Sequence, residues 1–384
     1  MKQMHLAACS LQSWKINFSG IWKKAAVCAA LPALMSGSAA AVGDSAEIYS
    51  ILVNQSLMFS AENLAGISAA DIGRMTGSEF SELLTERDLY ARYYDSGELK
   101  KITALSSEAP AGIGMDIFED QYGNVRCAPY PGSPAEASGI FYPDILVSVD
   151  GKPAAGRTLQ ELAAMIRGAI DTDVDIEIKR DDSTDLFSIP RSVSRYPDVA
   201  RTGKIPAVIK IFRFGNDTAR QLEQEIRKIE EDYKAQGYPP EKRFFIDLRG
   251  NTGGDLEQAA LSASFFLPAG STVYSYYDRD SESVYKTQQA GRYGGRPFII
   301  MQDGYTASSA EMFINALKTG MKNVSTYGEQ TYGKARVQKN FKLKSGAVLK
   351  LTVGELQYQD YTGTWESSGI APDVVSRKDK EDGS

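Results

Sequence analysis

Residues 299–312 read Ile-Ile-Met-Gln-Asp-Gly-Tyr-Thr-Ala-Ser-Ser-Ala-Glu-Met, so that an apolar run passes through a glycine turn into a helix-forming segment. The apolar run is typical of a buried strand, and residues 309–320 have the pattern of a helix. Two similar units lie upstream, at residues 207–237 and 243–267. This alternation of strands and helices predicts an α/β architecture in which helices cover a sheet.

Ser308 falls at the first turn of the predicted helix. A hydroxyl in that position lies beside exposed backbone N–H groups, which a serine nucleophile requires. The same position also suits a serine that only caps the helix. This segment alone therefore leaves both interpretations open.

Two other segments of this region contain residues suited to the same chemistry. Residues 247–254, Asp-Leu-Arg-Gly-Asn-Thr-Gly-Gly, place glycines between a strand and a helix, where bare N–H groups can bind an oxyanion or simply form a tight turn. Residues 328–338, Gly-Glu-Gln-Thr-Tyr-Gly-Lys-Ala-Arg-Val-Gln, contain Lys334. Most lysines are surface charges, but burial lowers the pKa of an amine until it can accept a proton from serine.

The first 41 residues contain four lysines and no acidic residue, and residues 25–41 form an Ala-rich run that ends in small residues. This order predicts a secretory signal that is cleaved after Ala41 or Ala40. A membrane anchor is the alternative, but Pro32 and the break at 36–38 leave a short apolar stretch. We therefore expect an exported protein, periplasmic or extracellular.

Histidine usage limits the possible chemistry. The single histidine of the chain is His5, inside the predicted signal. The remaining chain can therefore contain neither a Ser–His–Asp nor a Cys–His catalytic site, nor a histidine-based metal site. Cys127 is the one cysteine after residue 41, so an intramolecular disulfide is excluded as well.

The composition is that of a soluble globular protein, with 384 residues, 42% hydrophobic and 24% charged. The net charge is −6, and loss of four lysines with the signal would make it more negative. An acidic chain without basic blocks argues against nucleic acid as a partner. Patterning predicts five parts: a signal (1–41), an N-terminal helical segment (42–106), a compact, mostly β module (107–192), an α/β region (193–376) and a polar tail (377–384).

Together, the three segments resemble the carboxy-terminal processing peptidases, also called tail-specific proteases, which are Ser–Lys endopeptidases. The family motifs, close to DLRGNPGG, GSASASEI and GEPTFGKGSVQ, match DLRGNTGG, YTASSAEM and GEQTYGKARVQ here. The module that contains GIGM and GSPAEASGIFYPDILVSVDG resembles the PDZ domain of that family, and its closing GIAPD is present at 369–373. The resemblance covers residues 110–375.

The resemblance implies an α/β peptidase core of mixed sheet and helices (a crotonase-like spiral core), with an inserted mostly-β PDZ domain and an N-terminal helical segment. It implies a serine endopeptidase that recognises the C-terminal tail of exported proteins and needs no metal or cofactor. Its partners would be a protein or peptide substrate and a regulatory or adaptor protein. The implied residues are the nucleophile Ser308, the base Lys334, the orienting Gln338, the oxyanion donors Gly253 and Ser309, and the carboxylate-binding Gly112, Ile113 and Gly114.

Some positions depart from the family pattern. Thr252 replaces a proline, and Ala335-Arg336 replace Gly–Ser after the base, which brings an extra cation near the site. The stretch from Ser308 to Lys334 is one residue longer than the family pattern, so Ser309 is a rival nucleophile. Two other functions remain: a catalytically inactive PDZ protein that binds peptides, and a crotonase-like acyl-CoA enzyme, which the PDZ-like insert and the signal disfavour.

Overall fold

The computed structural model describes most of the chain after the predicted signal. The described residues are 42, 44–97, 99, 111–120, 122–193, 196–202, 206–237, 243–357 and 368–376. The predicted signal at 1–41 and the predicted tail at 377–384 lie outside them. None of the helices in the described ranges combines the length and the apolar composition that a membrane span requires.

The N-terminal segment is helical at first, with helices α1, α2 and α3 at Ser45–Gln55, Ala69–Ile72 and Gly77–Thr85. The predicted helical segment at 42–106 is not helical throughout, because Arg92–Tyr94 form a strand, β1. Asp88 explains the change: its carboxylate accepts hydrogen bonds from the N–H and the hydroxyl of Thr352. These bonds hold the chain beside a sheet edge, where two consecutive tyrosines suit an extended strand.

The middle module has an antiparallel sheet and two short helices, as expected for the PDZ-like module. Its elements are β2 (Met115–Glu119), β3 (Val125–Pro129), α4 (Pro134–Ala137), β4 (Ile145–Val149), β5 (Lys152–Pro153), α5 (Leu159–Ile166), β6 (Asp173–Arg180) and β7 (Ser183–Pro190). The sheet order is β2-β3-β4-β6-β7, with β5 on β4. Cys127 is buried in the module's own core, and this burial raises the pKa of its thiol.

The α/β region is built on a six-stranded sheet in which five neighbouring strands are parallel and only β8 is antiparallel. Its elements are β8 (Val199–Thr202), β9 (Val208–Ile211), α6 (Thr218–Ala235), β10 (Phe244–Asp247), α7 (Leu256–Ser264), β13 (Phe298–Gln302), α8 (Ser309–Gly320), β14 (Val324–Gly328) and β17 (Val374–Val375). The carboxyl ends of the parallel strands meet at one edge, where α/β proteins bind ligands. All three sequence motifs follow these ends.

A second sheet of this region was not predicted. It contains β11 (Thr272–Asp278), β12 (Glu282–Lys286), β15 (Arg336–Lys342) and β16 (Val348–Gln357), and β1 pairs with β16. Leu349 and Leu351 share a buried cluster with Leu52 and Phe80 of the N-terminal helices. The N-terminal segment therefore packs on the strand pair that directly follows Lys334.

Candidate active site

Ser308 has a strained backbone at the start of α8, with φ 58° and ψ −123°. In the described residues, five non-glycine positions have positive φ, and the other four are aspartates. Aspartate tolerates this region better than serine does, since its side chain can hydrogen-bond locally. A serine held on a sharp strand-to-helix turn presents its hydroxyl away from the backbone, as nucleophilic serines do.

The two candidate nucleophiles differ in exposure. Ser308 is half-buried, whereas Ser309 is 1% exposed. The Ser309 hydroxyl has no hydrogen-bond partner among the described residues. Of the two hydroxyls, only that of Ser308 is open to an incoming substrate.

The glycine turn at 250–254 lies directly against this serine. A β-carbon on Gly253 would be 2.8 Å from the Ala307 carbonyl oxygen, 2.9 Å from the Ser308 β-carbon and 3.1 Å from the Ser309 nitrogen. Gly253 has a φ of 101°, which L-residues rarely adopt. The structure thus brings Ser308, Gly253 and Ser309 close together.

The N–H group of Gly253 is, however, engaged. It donates a 2.8 Å hydrogen bond to the side-chain oxygen of Asn251, whose amide nitrogen donates to the carbonyl oxygen of Ile211 at 3.0 Å. This second bond fixes the orientation of the Asn251 side chain. In this structure the predicted oxyanion donor therefore points at Asn251, and it must turn to meet a substrate oxyanion.

Glu311 connects the segment that contains Ser308 to the segment that contains Lys334. One of its carboxylate oxygens, Oε2, accepts hydrogen bonds from both the N–H of Ser308 (2.8 Å) and the N–H of Lys334 (3.0 Å). The backbones of Ser308 and Lys334 are thus linked by two hydrogen bonds to one oxygen atom. Burial raises the pKa of Glu311, while these hydrogen bonds act in the opposite direction.

Lys334 lies in the loop just before β15, and Gln338 lies within β15. The Lys334 Nζ atom lies over the Tyr90 ring, 4.9 Å from its centroid. The Gln338 amide nitrogen donates to the carbonyl oxygen of Arg336 at 2.9 Å, within its own strand. An orienting bond from Gln338 to Lys334 stays a prediction.

Asp303 connects the PDZ module to the loop that precedes Ser308. Its carboxylate accepts hydrogen bonds from the N–H groups of Gly250 (3.1 Å) and Tyr305 (3.0 Å) and from the hydroxyl of Tyr142 in the module. The Tyr305 ring also packs against Phe118 of strand β2, with ring centroids 5.4 Å apart. The module thus contacts the nucleophile loop directly.

A second predicted site lies in the PDZ module. A cavity of about 1010 Å³ is lined by β2, by α5 and by residues between 192 and 221, and its lining includes Gly112, Ile113 and Gly114. The N–H of Gly112 already donates to the carbonyl oxygen of Ser192 at 3.1 Å, so the N–H groups of Ile113 and Gly114 are the better candidates for binding a carboxylate. The apolar part of the lining consists of Ile113, Met115, Ile117, Leu159, Ala163 and Ile166.

Several residues of the site were not singled out from the sequence. Glu311 had a detectable signal, because it is an acid within the otherwise apolar helical run of Ala310, Met312 and Phe313. Asn251, Asp303 and Tyr90 had none, since their roles depend on contacts between distant segments. No cluster of His, Cys, Asp or Glu in the described residues is arranged to hold a metal ion.

Substitution of Gly253 by alanine tests the contact with Ser308. We expect kcat for peptide cleavage to fall about 100-fold, because displacement of a reacting group by about 1 Å can have that effect. Gly270→Ala is the matched control: its φ is also positive, at 77°, but an added β-carbon meets no atom within 4 Å. Equal kcat values for the two variants, measured with a fluorogenic substrate, would contradict the role of this contact.

Comparison with known proteins gives two family matches. Residues 206–376 match peptidase family S41, and residues 125–180 match a PDZ domain. The carboxy-terminal processing protease CtpA of Bacillus subtilis (strain 168) is 32% identical over 292 residues, which are 75% of this chain and 60% of that protein. A probable CtpA-like serine protease of Staphylococcus aureus (strain bovine RF122 / ET3-1) is 30% identical over 294 residues, 75% of this chain and 57% of the relative.

The fold is also similar to that of a solved structure. The photosystem II D1 C-terminal processing protease superposes with a TM-score of 0.67 at 19% identity, covering 86% of this chain and 92% of the other. At this identity the similarity shows the fold alone. The chain spans only about 60% of the length of the two sequence relatives.

Proposed function

The chain belongs to the carboxy-terminal processing peptidases of family S41, and from this membership we propose that it is a serine endopeptidase with a Ser308–Lys334 dyad. The observation that carries the proposal is the shared Glu311 oxygen, which holds the backbones of both residues. The strained turn at Ser308 supports the same assignment.

In the proposed mechanism, neutral Lys334 accepts the hydroxyl proton of Ser308 as the oxygen attacks a peptide carbonyl carbon. The N–H groups of Ser309 and Gly253 bind the oxyanion that develops. The Gly253 N–H does so after it leaves the Asn251 oxygen that it meets in the present structure. Lys334 then returns the proton to the leaving amine, and water hydrolyses the acyl-enzyme.

We propose that the PDZ cavity binds the free C-terminus of the substrate. The peptide would add to β2 as a further strand, with its carboxylate at Ile113 and Gly114. The apolar lining between Ile113 and Ile166 favours a substrate that ends in apolar residues. The predicted signal at 1–41 supports an exported protein acting on exported substrates, with a regulatory or adaptor protein as a further partner.

The proposal is tested with an unfolded reporter protein that ends in Leu-Ala-Ala, and with the same reporter ending in Asp-Asp-Asp. Mass spectrometry of the fragments is expected to show internal cleavage, and faster cleavage of the apolar-tailed reporter. Ala163→Trp fills the cavity and is expected to remove this preference. Ala137→Trp is the matched control, on an exposed position of the same module.

The outcomes separate the candidate functions. Cleavage that ignores both the tail and Ala163→Trp would refute tail recognition by the cavity. Binding of C-terminal peptides without cleavage of either reporter would refute the endopeptidase and identify a peptide-binding protein. Neither outcome depends on knowing the physiological substrate.

A further inference from the structure

Glu311 is a fully buried acid in the first turn of α8, with apolar neighbours on both sides along the chain. A buried carboxylate is costly unless hydrogen bonds satisfy it. The proposed mechanism gives it no chemical step. The free-energy cost of burying Glu311 therefore suggests that its carboxylate holds other groups in place.

Four groups satisfy the carboxylate, two on each oxygen. Oε2 accepts the N–H groups of Ser308 and Lys334, and Oε1 accepts the N–H of Gly333 (2.8 Å) and the hydroxyl of Thr331. All three N–H groups can only donate. Since each donor needs an acceptor lone pair, the arrangement fits an ionised carboxylate and leaves no room for a proton.

The direction of the Thr331 bond follows from a neighbour. The Thr331 hydroxyl oxygen accepts a 2.6 Å hydrogen bond from the N–H of Ile370. Its own hydrogen is thereby free to point at Glu311. Ile370 belongs to the closing GIAPD motif. The Thr331 hydroxyl therefore connects this motif to the Glu311 carboxylate.

The closing motif is fixed in place by further bonds. The N–H of Thr331 donates to the Ile370 carbonyl oxygen at 3.1 Å, and the side-chain amide of Gln302, at the end of β13, donates to the same oxygen at 2.7 Å. Gly369 has a φ of 62° and packs against the Thr331 backbone. Residues 369–370 are therefore built into the support of the site.

We propose that Glu311 is a positioning residue that sets the backbone of Ser308 relative to that of Lys334, and that Thr331 and the Gly369–Ile370 segment hold its carboxylate in place. The inference rests on the proposed function. Glu311 touches no substrate atom in this scheme. It acts through the two backbone N–H groups that share Oε2.

Glu311→Gln is a sharp test because the side chain keeps its size. Glutamine replaces one acceptor oxygen by an NH₂ donor, and either orientation sets that donor against two existing donors. We expect kcat for a fluorogenic peptide to fall at least 100-fold, as for a reacting group displaced by about 1 Å, while KM stays within about threefold. Glu257→Gln, at an exposed first-turn position of α7, is the matched control and is expected to leave kcat unchanged.

Thr331 provides a milder pair of variants. Thr331→Val keeps the shape but removes the hydroxyl, so it is expected to lower kcat about tenfold or more. Thr331→Ser restores the hydroxyl and is expected to recover most of that loss. A residue with a purely structural role would affect both variants through stability, which thermal unfolding monitors separately.

Hydrogen–deuterium exchange gives a readout that needs no activity. Exchange at the amides of Ser308, Gly333 and Lys334 is expected to be faster in Glu311→Gln than in the wild type, with little change across β2 to β7. If the wild type cleaves and Glu311→Gln has wild-type kcat, the inference is wrong while the proposed function survives. If the wild type does not cleave, the proposed function fails, and unchanged exchange at these amides would refute the positioning role independently.

Discussion

Ser308→Ala is expected to lower kcat/KM for an unfolded protein by about 10⁴- to 10⁶-fold, the range known for loss of a serine nucleophile. The hydroxyl sits on the strained turn beside Gly253, and in the proposed mechanism its oxygen forms the acyl bond. The fold should persist, because alanine keeps the β-carbon and removes only the hydroxyl of a half-buried side chain. Cleavage rates and the thermal midpoint together measure the two effects.

Ser309→Ala is the matched comparison at the neighbouring position. Its hydroxyl is buried and has no hydrogen-bond partner among the described residues, while its backbone N–H is retained. We expect a loss in kcat of less than tenfold. An inactive Ser309→Ala together with an active Ser308→Ala would move the nucleophile to Ser309.

The backbone strain at Ser308 can be tested with a third variant, Ser308→Gly. Ser308→Gly should be as inactive as alanine, yet more stable by about 1 kcal/mol, because glycine adopts this φ and ψ without a steric penalty. Urea unfolding measures the difference. A glycine variant that is less stable than the alanine variant would argue against strain at this turn.

Lys334→Met is expected to lower kcat by about 10²- to 10⁴-fold, the usual contribution of a general base. Methionine keeps much of the length and the apolar stem, so packing over Tyr90 is retained while the amine is lost. Cleavage rates of the unfolded reporter measure this loss.

Lys339→Met is the control for this substitution. Lys339 lies on β15, five residues after Lys334, but its side chain is exposed and lies over Phe341. The Lys339→Met variant should cleave the reporter at the wild-type rate. Wild-type activity in Lys334→Met would refute the base assignment and require another proton acceptor.

Much of the α/β region could be predicted, because strong local patterns decide it. The apolar runs at β9, β10 and β13, each followed by a turn and a helix, are found where the sequence indicated. The β1 strand was missed, because residues 92–94 become a strand only through pairing with β16, more than 250 residues away along the chain. Long-range pairing of this kind leaves no local signal.

The site residues likewise divide into those with a local sequence pattern and those that depend on long-range contacts. Ser308, Gly253 and Lys334 could be proposed from motifs, because glycine and turn chemistry is local. The hydrogen bond that engages the Gly253 N–H with Asn251, and the position of Tyr90 under Lys334, depend on side-chain directions that no motif specifies. Glu311 lies within one of the motifs, but its proposed positioning role depends on the contacts of its carboxylate with Thr331 and Lys334, which the motif does not specify.

The contact between Ile370 and Thr331 has a consequence for biosynthesis. A ribosome makes the chain from its N-terminus, so residues 369–370 are added after every other part of the proposed site. Until they are present, the Thr331 hydroxyl that donates to Glu311 lacks the Ile370 N–H, whose hydrogen bond helps to hold its oxygen in place. We therefore expect an incompletely synthesised chain that lacks residues 369–370 to be proteolytically inactive.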